Sequence, residues 1–210
     1  MSIFKKSNRL EPIVILPKEP EYKKDLSITS GRYTDLFNSM VIRQSWKDRV
    51  NAAADKVLRG KMEYQWVGSE LEIPWIVPGV LHLMESDCNF KTHLHNGDSL
   101  SARTIHVPKG RPKTGKPPFT WRDSALDALV YDKVKPPLNT IELILNFGEG
   151  FNGWGYRKKG IESPYIWSGS EHYSSGKYVS DGVWSKTAVS SQVGIAPVIK
   201  VLINRKEIII

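Results

Sequence analysis

Residues 74–98, PWIVPGVLHLMESDCNFKTHLHNGD, combine an apolar helical run, one acidic residue, and a polar turn that ends in a second acid. At about 100° per residue, the run predicts a helix with one continuous apolar arc, formed by Val80, Leu81, Leu83, Met84 and Cys88. Glu85 lies at the border of this arc, while His82 and Asn89 lie on the polar side. A partly desolvated carboxyl group has a raised pKa and can hold a proton near neutral pH. Glu85 is therefore a candidate general acid, although it could instead cap the helix end or pair with Lys91 or Arg103.

The length and composition of the chain predict one folded unit. A chain of 210 residues with ordinary hydrophobic content fits a single core. Three prolines within residues 1–30 indicate an extended N-terminal arm, which leaves 31–210 as one domain. The sequence has no run of about 20 apolar residues that could span a membrane and no visible signal peptide. We therefore expect a monomer that is synthesised in the cytoplasm and has no transmembrane segment. The sequence does not indicate the route by which it would be exported.

The chain carries a formal net charge of +8, which favours anionic partners such as nucleic acid, acidic membranes or the bacterial cell wall. Its densest basic run, KGRPKTGK at 109–116, is rich in glycine and proline and is typical of a solvated loop. No basic helix, zinc-finger spacing or RNA-binding strand accompanies it, so we expect no specific nucleic-acid partner. Cys88 is the only cysteine, which excludes an internal disulfide and a zinc site built from thiolates.

The remaining patterns predict mostly helices. Residues 34–59 form one or two amphipathic helices that stop at Gly60, and 61–75 form a short connecting segment. Alternation in 100–107 predicts a short strand that could pair with a second strand beyond the basic loop as a hairpin. Thr120 and Asp123 approximate a capping box before a helix, and Asn139 or Thr140 begins a buried helix. Residues 170–185 are expected to form a loop or ribbon, and Ser185 is expected to cap the last helix.

A glycine-rich aromatic segment follows the buried helix, GEGFNGWGYRKKGIESPYIW at 148–167. The alternating glycines argue against a regular helix and allow several rings to approach the backbone. Aromatic faces beside amide donors suit a sugar-binding groove, although a packed glycine-aromatic turn explains the pattern equally well. The substrate-binding candidates in this segment are Trp154 and Trp167.

Several motifs together resemble a known superfamily. The run VLHLMESDCNF, with HLHNGD, RTIHVPKGRP, PPFTW, FNGWGYR, SPYIW and DGVWS, is similar to phage and bacterial lysozyme-like proteins related to goose-type lysozymes and lytic transglycosylases. The resemblance covers roughly 33–201. It implies an α+β, mainly α, lysozyme-like fold with a small β element beside the catalytic helix. It also implies cleavage of the β-1,4 bond between N-acetylmuramic acid and N-acetylglucosamine, with Glu85 as proton donor. The resemblance further implies that Asn152, Tyr156 and Tyr165 line the substrate cleft. The Gly-Leu-Met-Gln-like segment of goose-type enzymes is absent from this sequence.

The second carboxylate has several candidates. An inverting glycosidase needs a base about 6.5–9.5 Å from the acid, and a retaining one about 5 Å. Asp98 follows the Asn-Gly turn and could fold back beside the helix, although it could also serve only that turn. Glu149 and Glu162 are reserve candidates.

The histidines near this turn have two interpretations. His93 and His95 could form a metal pair with His106 or Asp98, but sugar binding by His95 and Asn96 is the preferred interpretation. We therefore expect no metal and no cofactor.

Two classes of function therefore compete. The first is a peptidoglycan-degrading glycosidase, an endolysin-like enzyme that uses Glu85 with Asp98, or a lytic transglycosylase that uses Glu85 alone. The second is a non-catalytic glycan-binding module or structural phage component, for which the aromatic segment would suffice. In either case peptidoglycan strands are the expected partner.

Overall fold

A computed structural model describes residues 31–180 and 182–210, so the predicted arm at 1–30 lies outside the described residues. Short 3₁₀ turns at Gln44–Trp46 and Arg157–Lys159 join the main elements. In chain order the helices and strands are α1 (Arg32–Ser39), α2 (Lys47–Arg59), α3 (Lys61–Glu70), α4 (Ile76–Ser86), α5 (Trp121–Tyr131), α6 (Ile141–Asn152), α7 (Pro164–Trp167), β1 (Lys177–Ser180), β2 (Val183–Ser185) and α8 (Ile195–Asn204).

Helix α4 is the centre of the fold, because α2, α3, α6 and α8 all pack against it. Its residues from Ile76 to Met84 are all buried, so the helix is enclosed on more sides than a single apolar arc predicts. The prediction that His82 lies on a polar face is wrong. His82 is fully buried, and its Nδ1 lies 3.0 Å from the Tyr64 hydroxyl oxygen, because α3 covers that side.

Of the one or two helices predicted for 34–59, the structure has two, α1 and α2, and α2 ends at the expected Gly60. The connecting segment predicted for 61–75 is instead largely helix α3. Lys200 of α8 donates hydrogen bonds from Nζ to the carbonyl oxygens of Phe37, Asn38 and Met40, at 2.8, 3.2 and 3.3 Å. A lysine ammonium at this helix end complements the partial negative charge of the last carbonyls of α1.

Helices α5 and α6 begin where the sequence predicts. The Thr120 hydroxyl accepts from the Asp123 N–H, and the Thr140 hydroxyl accepts from the Leu143 N–H. The expectation that glycines end α6 near residue 148 is wrong, since the helix continues to Asn152. Gly148 is kept for packing: an added Cβ would lie 2.9 Å from Cδ1 of Ile195. The helix therefore tolerates its glycines because other elements pack closely against it.

The β structure differs from the prediction in position. Residues 100–107 form turns, whereas β1 and β2 pair antiparallel as a ribbon within the stretch predicted to be a loop or ribbon. The ribbon packs against the ring of Tyr156 through Tyr178 and Trp184. In chain order it follows α7 and not the helix that carries Glu85. The last helix starts at Ile195 with Gly194 as its cap, not at Ser185. Pro197 fits this start because it falls in the first turn.

The molecule is mainly helical with one small antiparallel sheet in its described part, which agrees with the α+β, mainly α class. Buried side chains from every helix join one hydrophobic core. None of the helices in the described ranges is long and apolar enough to cross a membrane. The finer expectation of a lysozyme-like fold stays a prediction.

Candidate functional site

Glu85 lies in the last turn of α4, where the helix reaches the edge of the core. The following residues, Asp87 and Cys88, have positive φ values of 54° and 62°, so the chain reverses immediately after the carboxylate. The predicted polar turn packs against this end: a Cβ added to Gly97 would lie 3.1 Å from the Glu85 carbonyl oxygen. Glu85 is thus enclosed by the core on one side and by the turn on the other.

The pKa of Glu85 is raised to about 7. Burial is the largest cause, because desolvation penalises the charged carboxylate. The Tyr165 hydroxyl donates a 2.9 Å hydrogen bond to Oε1 and opposes this effect, while the nearby charge of Asp132 raises the pKa further. Near neutral pH a large fraction of Glu85 is therefore protonated, as an acid catalyst requires.

Asp132 is a second carboxylate that sequence reasoning missed. It is the residue that caps the C-terminal end of α5, and burial raises its pKa to about 6, with Arg111 lowering it in part. Its charge acts on both Glu85 and Tyr165, so the three side chains form one electrostatic group. One signal was present in the sequence: an acidic residue at the C-terminal end of a helix opposes the helix dipole and needs another reason to be there.

Tyr165 connects this group to the aromatic segment. It lies in α7 and is buried, and its pKa is raised well above the ordinary value, first by burial and then by the charge of Glu85. The hydroxyl therefore keeps its proton and remains a donor to Glu85. Tyr165 was predicted to contact sugar, and the structure instead shows its hydroxyl bonded to the candidate acid.

Asp98 holds the loop that follows it. Its carboxylate accepts hydrogen bonds from the backbone N–H groups of Ile105 and His106 at 2.8 and 3.0 Å, and from His106 Nδ1 at 2.6 Å. Burial alone would raise its pKa, but these hydrogen bonds outweigh burial and lower the pKa to about 2. A carboxylate this acidic is a weak base, so the geometry favours the turn role for Asp98 over the catalytic role.

The two polar residues before Asp98 also serve structure. The side chain of His95 is fully buried, and its Nε2 lies 2.9 Å from Oδ2 of Asp127, which also accepts from Arg111. Burial lowers the pKa of His95 to about 4, against the opposing effect of Asp127. Asn96 accepts from the Asp98 N–H and donates to the carbonyl of Val107. Because His95 is buried, the structure does not support the prediction that it lines a sugar cleft.

The alternative of a histidine metal pair is not supported either. His93 is buried, with Nδ1 at 2.8 Å from the Ser124 hydroxyl and Nε2 at 2.8 Å from the Ala102 carbonyl. In the part of the chain with described coordinates, no group of three or more histidine, cysteine, aspartate or glutamate residues is placed to hold a metal ion.

A cavity of about 220 Å³ adjoins the carboxylate group, since Asp132 forms part of its wall. The other walls come from α6 and the segments on either side of it. Most of these residues are apolar or aromatic, and one polar atom stands out: Oδ1 of Asn146 is buried and has no hydrogen-bond partner. The remaining lining residues are Lys133, Leu138, Leu143, Phe147, Gly150, Phe151 and Trp154. The cavity has the mixture of ring faces and few polar groups that is typical of a small-ligand site.

Trp154 is the one predicted sugar-binding aromatic that both lines the cavity and is well exposed, at 39%. The absence of a side chain at Gly150 lets the Trp154 ring lie against α6, because a Cβ added to Gly150 would come within 2.8 Å of Cζ2 of Trp154. The Arg157 guanidinium stacks over the ring at 4.3 Å from its centroid and pairs with Glu149 at 3.2 Å. Glu149 is buried and also accepts from the Tyr33 hydroxyl, so this reserve acid helps to position Trp154.

The other predicted aromatics belong to the core. Trp167 is fully buried and stacks on Tyr33, so its placement does not support the prediction that it binds substrate. Tyr156 is buried against the β ribbon, and its hydroxyl accepts from the Tyr178 N–H. Asn152 is exposed at the end of α6, and Glu162, the second reserve acid, accepts from Arg32. The sequence pattern detected rings near the backbone but did not distinguish packing from binding.

A larger cavity of about 460 Å³ lies between the basic loop and α5, lined in part by Asp123 and Asp127. Both acids are already engaged, Asp123 with the helix cap at Thr120 and Asp127 with His95 and Arg111. Glu85, Asp132 and Tyr165 do not line this cavity, whereas Asp132 lines the smaller one. The smaller cavity is therefore the better candidate site.

Comparisons with known proteins do not indicate a function, so the geometry of the site is the basis for the proposal. No protein-family model, curated protein or solved structure gives a significant match to this chain.

Proposed function

We propose that the protein is a glycoside hydrolase that cleaves the β-1,4 bond between N-acetylmuramic acid and N-acetylglucosamine in peptidoglycan. The observation that carries the proposal is the pairing of Glu85 and Asp132, with pKa values of about 7 and 6, beside an aromatic cavity. Two carboxyl groups that are both partly desolvated and act on each other electrostatically supply the residue types that a glycosidase uses as acid and base.

Glu85 acts as general acid in this proposal. Its carboxyl proton passes to the glycosidic oxygen as the bond from that oxygen to the anomeric carbon breaks. The leaving sugar departs as an alcohol, and Glu85 is left as a carboxylate that the Tyr165 hydroxyl stabilises through its hydrogen bond. Proton donation from a positioned side chain typically contributes 10²–10⁴-fold to a rate.

Asp132 replaces Asp98 as the proposed base. Between about pH 6 and 7 the pair holds Glu85 protonated and Asp132 ionised, which is the state that both roles need. Asp132 accepts a proton from the water whose oxygen bonds to the anomeric carbon. Proton exchange with solvent then restores the starting state of both groups.

The positive net charge supports the choice of an anionic glycan, because a charge of +8 attracts the protein to a polyanionic cell wall. Trp154 is 39% exposed although the Arg157 guanidinium covers part of its ring, and the exposed part supports a sugar substrate because pyranoses present an apolar face to aromatic rings. Neither feature requires catalysis, which is why the acid pair carries the proposal.

Peptidoglycan digestion by the wild type and by Glu85→Gln tests the proposal. The substitution keeps an acceptor for Tyr165 but removes the acidic proton, so we expect the rate to fall at least about 100-fold. New reducing ends would identify a hydrolase, whereas anhydro ends would identify a transglycosylase that needs no base at Asp132. Equal rates in the two proteins would reject Glu85 as the acid. Binding without cleavage by the wild type would favour the glycan-binding alternative.

A further inference from the structure

Lys133 occupies an unusual backbone position at the mouth of the candidate site. It follows the cap residue of α5, where its N–H donates to the Val130 carbonyl and the next N–H, of Val134, donates to Leu129. This pattern is a helix-ending turn that places one residue in the left-handed region, a position that glycine usually fills. Lys133 has a φ of 56° there, so a side chain is kept where a glycine would be less strained.

The lysine side chain is available to a ligand. Lys133 is exposed, lines the 220 Å³ cavity, and forms no ion pair with any residue that the structure describes. It is not the counter-ion of its neighbour, because Arg111 is the cation that lowers the pKa of Asp132. The ammonium therefore adds one positive charge to the rim of a cavity whose walls are largely apolar.

The rest of the cavity restricts what the ligand can be. The rings of Phe147, Phe151 and Trp154 suit the apolar face of a sugar, and the unpartnered Oδ1 of Asn146 needs a donor from a hydroxyl or amide N–H. Lys133 then needs an anionic group on the same ligand. A sugar that carries a carboxylate substituent meets all three requirements.

We propose that Lys133 is a specificity-determining residue, whose ammonium binds the carboxylate of an acidic sugar held in the cavity beside Asp132. The inference rests on the proposed function for the placement of the sugar next to the reacting bond. In peptidoglycan the matching group is the lactyl carboxylate of muramic acid, which is free once an amidase-type hydrolysis has removed the stem peptide. The site consequently prefers stripped glycan strands to the same strands with their carboxyl groups converted to amides.

Binding and cleavage are measured separately to test this preference. Stripped strands and carbodiimide-amidated strands are titrated against Glu85→Gln protein, alone and combined with Lys133→Met or with Lys135→Met. Lys135 lies in the same loop but does not line the cavity, so its substitution is the matched control. We expect about tenfold tighter binding of the carboxylate strands, lost in Lys133→Met, kept in Lys135→Met, and reduced at high salt.

The outcomes separate this inference from the proposed function. Equal affinity for the two strand types, an unchanged preference in Lys133→Met, or no binding of either strand would overturn the role of Lys133. Failure of the wild type to release any product from either strand would instead overturn the glycosidase proposal. A binding preference that persists in a protein without cleavage would keep Lys133 as a ligand contact while rejecting hydrolysis.

Discussion

The C-terminal ends of α4 and α5 are built alike, yet only the carboxylate of α4 was identified from the sequence. Each places a carboxylate, Glu85 or Asp132, beside a turn with positive φ, and burial raises the pKa of both. Glu85 lies within a helix, so the helical wheel predicts the direction of its side chain. Asp132 lies one residue beyond its helix, where the surroundings are set by α4, α7 and the loop that carries Arg111. For residues at helix ends, the surroundings of the side chain therefore depend mostly on tertiary contacts that the sequence pattern does not show.

The largest expected effect distinguishes Asp132 from Asp98 as the second carboxylate. Asp132→Asn removes the proposed base, so kcat for peptidoglycan should fall at least about 100-fold. Asp98→Asn weakens the turn that holds residues 105 and 106 and should cost less than about tenfold in kcat. Initial rates on folded proteins, checked by circular dichroism, measure the difference. A loss in Asp98→Asn as large as that in Asp132→Asn would restore Asp98 as the base.

The fold was more predictable than the site. Helix starts at Thr120 and Thr140 follow local capping chemistry, and the prediction is confirmed at both. The roles of His82, His95 and Trp167 were not predictable, because a ring that packs and a ring that binds have the same local sequence pattern. The pKa of Glu85 was predicted in direction from a single helix, since the border of its apolar arc is a local property.

The second expected effect concerns the stability cost of the raised pKa at the end of α4. Folded Glu85 holds its proton up to about pH 7, while the unfolded group loses it near its ordinary value of 4.5. The native state thus binds more protons between these values, and stability falls as the pH rises through this window. Glu85→Gln removes the penalty, so we expect about 3 kcal/mol of added stability at pH 8 and little at pH 4.

Urea unfolding of the wild type and Glu85→Gln at pH 4 and pH 8 measures this difference. Glu70→Gln is the control, because Glu70 is exposed at the end of α3 and its substitution should change stability little at either pH. A stability gain in Glu85→Gln that is the same at both pH values would show that packing, and not the raised pKa, is the cause.

A smaller effect concerns the Tyr165 hydroxyl, which donates a hydrogen bond to Glu85. The wild-type activity profile should be bell-shaped, with its acidic limb near pH 6 and its basic limb near pH 7. Tyr165→Phe removes a hydrogen bond that favours the ionised form of Glu85, so the basic limb should move upward by about one pH unit. Tyr156→Phe is the control, since its hydroxyl contacts the Tyr178 backbone and not the acid. A basic limb that stays near pH 7 in Tyr165→Phe would assign that limb to another group.

The smallest effect compares the two turns themselves. Lys133→Gly relieves the left-handed strain after α5, and despite the greater freedom of glycine in the unfolded chain we expect a gain of about 0.5–1 kcal/mol in unfolding free energy. At the end of α4, Asp87→Gly should gain less, because it also removes the 2.5 Å ion pair between Asp87 and Lys56. Thermal unfolding of both variants measures the contrast, with Lys135→Gly as a control that should lose stability. A loss of stability in Lys133→Gly would mean that the lysine side chain stabilises its own turn. A gain, combined with weaker binding of carboxylate strands, would show that the strain at residue 133 is kept for ligand recognition.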